Sequence, residues 1–118
     1  MVIVNEDKNL ITATRGDTII LNINIQDAFG NPYTPDLEND VLRFALKKHY
    51  NDAEPLLVKQ IPLDTCQLRI DSAETKHLIQ PGEYVYDIEL QYGDGIVSTI
   101  IPNEDAKIAK LKIVEEVY

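Results

Sequence analysis

The stretch from Leu78 to Tyr92 constrains this chain more than any other. It reads Leu78-Ile79-Gln80-Pro81-Gly82-Glu83-Tyr84-Val85-Tyr86 and continues Asp87-Ile88-Glu89-Leu90-Gln91-Tyr92. After the proline-glycine pair, Tyr84, Tyr86, Ile88, Leu90 and Tyr92 share one face, while Val85, Asp87, Glu89 and Gln91 share the other. Side chains alternate across a strand, so this pattern predicts a strand with an aromatic-aliphatic inner face and a polar outer one. No other segment keeps a period of two for so long. It is the expected centre of a β-sandwich.

The remaining segments fit around it. Residues 1 to 9 are mostly polar and read as loosely held, and Leu10 to Thr14 reads as a short edge strand. Arg15-Gly16-Asp17 is a turn signal before a strand at Thr18 to Gln26, with Ile19, Leu21, Ile23 and Ile25 on one face. Turn formers from Asp27 to Pro32 begin a loop that runs to Asp40. Val41 to Lys48 is a strand with Leu42, Phe44 and Leu46 inward. Leu56 to Ile61 and Cys66 to Ile70 are shorter strands, and in the latter Cys66 is in phase with Leu68 and Ile70.

Asp71 to His77 is the one predicted helix, reaching to about residue 78, with Glu74 at capping-box distance from Asp71. Gly93-Asp94-Gly95 turns the chain back into Ile96 to Ile101. Pro102 to Asp105 interrupts, and Lys107 to Val117 closes the sheet. The sum is an all-β fold, an antiparallel sandwich or barrel of about 7–9 strands, in a single domain over residues 1–118.

Charge and cysteine usage narrow the function. The 118 residues carry 11 basic and 20 acidic side chains, a net −9. This argues against nucleic acid and against anionic membrane surfaces, because both need a basic face. No apolar run approaches the roughly 20 residues that span a bilayer, and the first residues lack a secretory pattern. A lone cysteine, Cys66, excludes an intrachain disulfide and fits synthesis in a reducing cytoplasm.

Gly82-x-Tyr84-x-Tyr86 resembles the sixth strand of an immunoglobulin-like domain. That resemblance implies a tyrosine corner at Tyr84, with its hydroxyl bonded to upstream backbone. Tyr86 then stands at the usual cysteine position, faced by Leu21 or Ile23, and Phe44 stands near the place of the core tryptophan. A closer resemblance rests on Arg15-Gly16-Asp17-Thr18, Asp40-Val41-Leu42-Arg43-Phe44-Ala45-Leu46-Lys47-Lys48, Pro55-Leu56-Leu57-Val58-Lys59, Gly82-x-Tyr84-x-Tyr86-Asp87-Ile88-x-Leu90 and Thr99-Ile100. Together these are similar to the N-terminal immunoglobulin-like domain of bacteriophage baseplate upper proteins and related prophage structural proteins. The resemblance covers most of residues 10 to 116. It implies a virion structural or assembly protein of the tail or baseplate, made in the bacterial host cytoplasm. Its partners would be other phage structural proteins, with homo-oligomers in the particle and no catalysis. The alternative class is a cell-surface or carbohydrate-binding module.

Individual residues offer little chemistry. His49 and His77 have no partnered nucleophile, and Cys66 reads as an inert core thiol. His77 ends the helix, where a base suits the dipole. Asp36, Glu38 and Asp40 alternate in the manner of weak calcium candidates, but they lack the glycine turn of a calcium loop and read as a solvated acidic loop. Glu104 and Asp105 form a second acidic pair. Arg15-Gly16-Asp17 matches an integrin-recognition tripeptide, and its fit to a turn accounts for all three residues. Tyr33, Tyr50 and Tyr118 are the expected surface aromatics. No cofactor is expected. Asp87 is the odd residue, a charge in the middle of the best strand. Left open on the outer face it is a solvated charge, and covered by another chain it is an interface residue that needs a basic partner.

Overall fold

The computed structural model describes residues 1–5, 9–27, 29–102 and 108–116. The expectations at Glu104, Asp105 and Tyr118, and the ends of the last strand at Lys107 and Val117, lie outside these. The described strands are β1 (Val2–Asn5), β2 (Leu10–Thr14), β3 (Ile19–Asn22), β4 (Val41–Lys47), β5 (Leu57–Ile61), β6 (Gln67–Ile70), β7 (Gly82–Gln91), β8 (Val97–Ile101) and β9 (Ala109–Val114). One short helix, α1 (Ser72–His77), joins β6 to β7. The large sheet runs β1-β2-β9-β7-β4-β5, with β8 also on β7, and β3 pairs with β6 in a second sheet. This is the sandwich that the alternation predicts.

β7 is the centre, as its length requires. β4 follows one side of it from Val41↔Gln91 to Lys47↔Val85. The other side is shared end to end. β9 takes Gly82 to Tyr86, and β8 takes Ile88 to Gln91. Leu42, Phe44, Leu46, Tyr84, Tyr86, Ile88 and Leu90 are all buried on its inner side. They meet Ile19, Leu68 and Ile70 from the small sheet, together with Ile23 and Ile25. Burying such side chains contributes about 1.5–3 kcal/mol each against solvent exposure. The Phe44 and Tyr86 rings lie 5.7 Å apart and tilted. Tyr86 thus makes an aromatic contact inside this cluster.

Five details differ from the sequence expectations. Residues 2–5 are not loose, because β1 pairs antiparallel with β2 from Val2↔Ala13 to Asn5↔Leu10. β2 is consequently not an edge strand, since it lies between β1 and β9. β2 runs parallel to β9, so the sheet is not wholly antiparallel. Such a pairing joins segments far apart in the chain, and local periodicity carries no trace of it. The strand expected at Thr18 to Gln26 keeps its inward phase, with Ile23 and Ile25 buried, but its ladder stops at Asn22. The partner strand begins only at Gln67, because Cys66 turns the chain with φ of +50°. Cys66 is thus a half-buried turn residue, not a strand residue of the core.

The connections are locally determined. Asp71 is extended before α1, and Glu74 Oε1 accepts its backbone N–H at 3.0 Å, completing the capping box. The same Glu74 carboxylate meets the Lys59 ammonium, which also donates to the Arg69 carbonyl at 2.9 Å. Lys59 lies in register with the buried Phe44 and so points inward from the last strand of the large sheet. An inward charge on an edge strand discourages pairing with another chain. Here it also ties β5 to β6 and closes one side of the sandwich.

Candidate interaction face

The tyrosine corner is present. Tyr84 Oη donates to the Gln80 carbonyl at 2.5 Å, and its ring is buried. Burial raises its phenol above the usual range, partly opposed by that bond. Lys48 Nζ lies 4.6 Å from the ring centroid and bonds the Glu83 carbonyl at 3.2 Å. Gly82 enters the strand at φ of +147°, where a Cβ would lie 2.9 Å from Lys48 Nζ. Gly82, Phe44, Tyr84 and Tyr86 are therefore structural. Burial alone pushes the Tyr86 phenol up to about 12.

The acidic loop does not form a calcium cradle. Asp40 is buried, and its carboxylate accepts from Tyr33 Oη at 2.7 Å, Asp36 N at 2.9 Å and Gly93 N at 3.1 Å. Those donors hold it below the usual carboxylate range. The Tyr33 phenol is correspondingly pushed up to about 12, chiefly by its bond to Asp40. Asp36 turns to Glu38 N at 3.0 Å and Asn39 Nδ2 at 2.8 Å. Hydrogen-bond donors of their own loop and of the β7–β8 turn occupy the oxygens of Asp36 and Asp40. Glu38 takes part through its backbone N–H. Among the described residues no cluster of three or more His, Cys, Asp or Glu could hold a metal ion. Sequence spacing missed Asp40 as a loop latch because its donor at Gly93 is 53 residues away. Gly93 is the sequence signal, since a Cβ there would come within 2.8 Å of Asn39 Cβ.

Other candidates resolve similarly. Tyr33 is not a surface platform, because its ring packs edge-on against Tyr92 at 5.5 Å. Tyr50 is 68 % exposed. Arg15 Nε bonds the Lys76 carbonyl at 3.0 Å, and Gly16 N bonds Thr75 Oγ1 at 3.1 Å. Thr75 Oγ1 returns a bond to the Asp17 carbonyl at 2.8 Å. The Arg15-Gly16-Asp17 turn is thus fastened to α1. The Cys66 thiol donates to the Leu63 carbonyl at 3.4 Å, and burial and the nearby Asp64 raise its pKa, which disfavours the nucleophilic thiolate. His49 follows β4, and His77 closes α1.

Asp87 sits on the outer side of the large sheet, beside Ala45 on β4, with Val58 of β5 beyond it. Ala45, Lys47, Tyr50, Val85 and Asp87 line a shallow depression of about 100 Å³ there. The carboxyl of Asp87 is raised by burial and by Glu89, against the pull of Lys47 and Arg43. Arg43 reaches Gln91 Oε1 at 3.4 Å, while its Nε is buried without a hydrogen-bond partner among the described residues. A half-buried acid and an unsatisfied guanidinium nitrogen on one sheet face suit contact with another surface better than bond-making chemistry.

Fold and face together define a two-sheet β-sandwich that offers one broad, charged sheet surface. No family model, no curated protein and no solved structure matches the chain. Among the described residues no helix is long and apolar enough to cross a membrane.

Proposed function

We propose that this chain is a structural or assembly module of a phage or prophage virion, in the tail or baseplate, acting through protein–protein contacts. The observation that carries this is the outer face of β4 and β7. The central strand of the motif resembling baseplate domains is β7, and its outer side presents Asp87 and Glu89 beside Arg43 and Lys47. The unusual groups of the chain therefore lie on an open sheet face suited to another protein surface. The partners are other phage structural proteins and further copies of the chain. The glycan-binding alternative loses Tyr33, which is engaged by Asp40 and Tyr92, and among the described residues keeps the exposed rings of Phe29 and Tyr50. These come from separate loops and form no aromatic pair among the described residues.

The test is location. Immunogold labelling of purified particles places the chain at the tail or baseplate. Its absence from purified virions, by labelling and by mass spectrometry, overturns the assembly role.

A further inference from the structure

Charge on the outer side of the large sheet is laid out in columns. β4 contributes Arg43 and Lys47, β7 contributes Asp87 and Glu89, and β9 contributes Lys110. The register sets Arg43 beside Glu89, Ala45 beside Asp87 and Lys47 beside Val85, with Lys110 next to Val85 on the far side. A negative column therefore runs between two positive ones. Among the described residues, none of these side chains enters an ion pair, although others on the surface do. Arg43 Nε is left without a partner, and Asp87 is half-buried. Beside the columns, Tyr50, Leu56 and Val58 are each at least half exposed.

We infer that the outer face of β4 and β7 is a contact between two copies of this chain, related by a two-fold axis along the β4–β7 seam. Such an axis lays β4 of one copy over β7 of the other. The positive column of β4 in each copy then faces the negative column of β7 in the other. Arg43 meets Glu89 of the second copy in the same row, and Lys47 reaches Asp87 one row away. Every pair is made twice. In the same rows Ala45 lies over Asp87 and Val85 over Lys47 of the other copy, and Val58 lies one strand out from Ala45. Charge order selects the second copy over an unrelated surface, because the two-fold operation itself generates the complement. Four strands about 4.8 Å apart and about seven residues long cover a plane of roughly 450 Å² before side-chain relief. Counted on both copies that is roughly 900 Å², below the range of stable interfaces and in that of weak, reversible ones, so the dimer is concentration-dependent.

The inference rests on the assembly reading above and sharpens it to one face and one partner. The experiment is sedimentation equilibrium of the full chain over roughly 1–300 µM, at about 0.05 M and about 1 M salt. A reversible dimer that loosens at high salt is expected. Arg43→Glu weakens it at least about tenfold, since attraction becomes repulsion at two symmetric places. The double variant Arg43→Glu/Glu89→Arg restores it. Circular dichroism and the urea midpoint check that each variant is folded. Should Arg43→Glu fail to fold, Lys47→Glu with and without Asp87→Lys makes the same test. A monomer at every concentration, or a dimer indifferent to these reversals, overturns the inference. Immunolabelling of the particle decides the assembly role separately. A salt-sensitive dimer from a chain absent from virions keeps this face and removes that role.

Discussion

Asp40 is the single polar residue on which most of the loop structure hangs, and removing it gives the sharpest test. Its carboxylate joins the 33–40 loop to the turn between β7 and β8 through Tyr33 Oη, Asp36 N and Gly93 N. A hydrogen bond to a charged acceptor contributes about 1.5–3 kcal/mol when its donor is left buried. Here Asp36 is exposed and Tyr33 only part-buried, so water replaces part of each loss. About 1 kcal/mol per bond is the appropriate figure, and Asp40→Ala should cost about 3 kcal/mol. In a domain of this size that lowers Tm by roughly 12 °C. Tyr33→Phe removes one donor and should cost about 1 kcal/mol.

The double variant should cost less than the two singles together, because both remove the same bond. Urea denaturation followed by circular dichroism measures all three. The pH dependence follows from the direction of the shift. The folded-state pKa of Asp40 is lowered, so the stability it contributes is present above the ordinary aspartate range and is lost as pH falls through the lowered value. Wild type and Asp40→Asn should therefore converge on acidification. An Asp40→Ala cost below about 0.5 kcal/mol, or strict additivity with Tyr33→Phe, would refute the latch.

Four further outcomes are expected. Tyr84→Phe loses the bond to Gln80 and should lower stability by about 1–1.5 kcal/mol, read from the urea midpoint, with no change in the sheet signal of circular dichroism. Asp87→Asn should stabilise the dilute monomer at neutral pH, because the folded-state pKa of Asp87 is raised. The advantage appears as pH rises through the ordinary aspartate value toward the folded one, and it is absent in acid. Lys59→Met removes the inward charge of β5 and its ties to Glu74 and Arg69, so light scattering should report increased self-association. Cys66 should react slowly with a thiol reagent near neutral pH and at the rate of a free thiol once urea unfolds the chain.

The elements themselves were legible, and for a stated reason. β4 and β7 alternate without interruption over seven and ten residues, and both came out with the expected inward sets. Such alternation records which side of a strand is buried, and one-residue slips would reverse every position. The capping box was equally readable, because its partners are three residues apart. Tyr84 was placed by resemblance to a corner, and its bond to Gln80 spans only four residues. The N-terminal strand was missed because Val2–Asn5 is too short to show a period, and only its pairing with β2 makes it a strand.

The candidate face was half visible. Asp87 stood out as a charge within the strongest strand, but its neighbours Ala45, Lys47 and Tyr50 come from another strand and from the connection after it. The reading of Asp36, Glu38 and Asp40 as a solvated acidic loop missed the buried Asp40 for the same kind of reason. Alternating carboxylates say nothing about where each oxygen points, and Asp40 points at a turn far along the chain.

The sequence by itself determined the all-β class, the inner face of each long strand, the helix cap and the turn at Gly93 to Gly95. These depend on interactions within a few residues and on the period of two. The tertiary structure decided strand order, the parallel pairing of β2 with β9, the division of β7 between β8 and β9, and the columns of charge on the outer face. Those follow from cross-strand register, which brings residues tens of positions apart to neighbouring places. In Leu78 to Tyr92 the inner face was written in the chain, whereas the meaning of Asp87 on the outer face was fixed only when β4 came alongside.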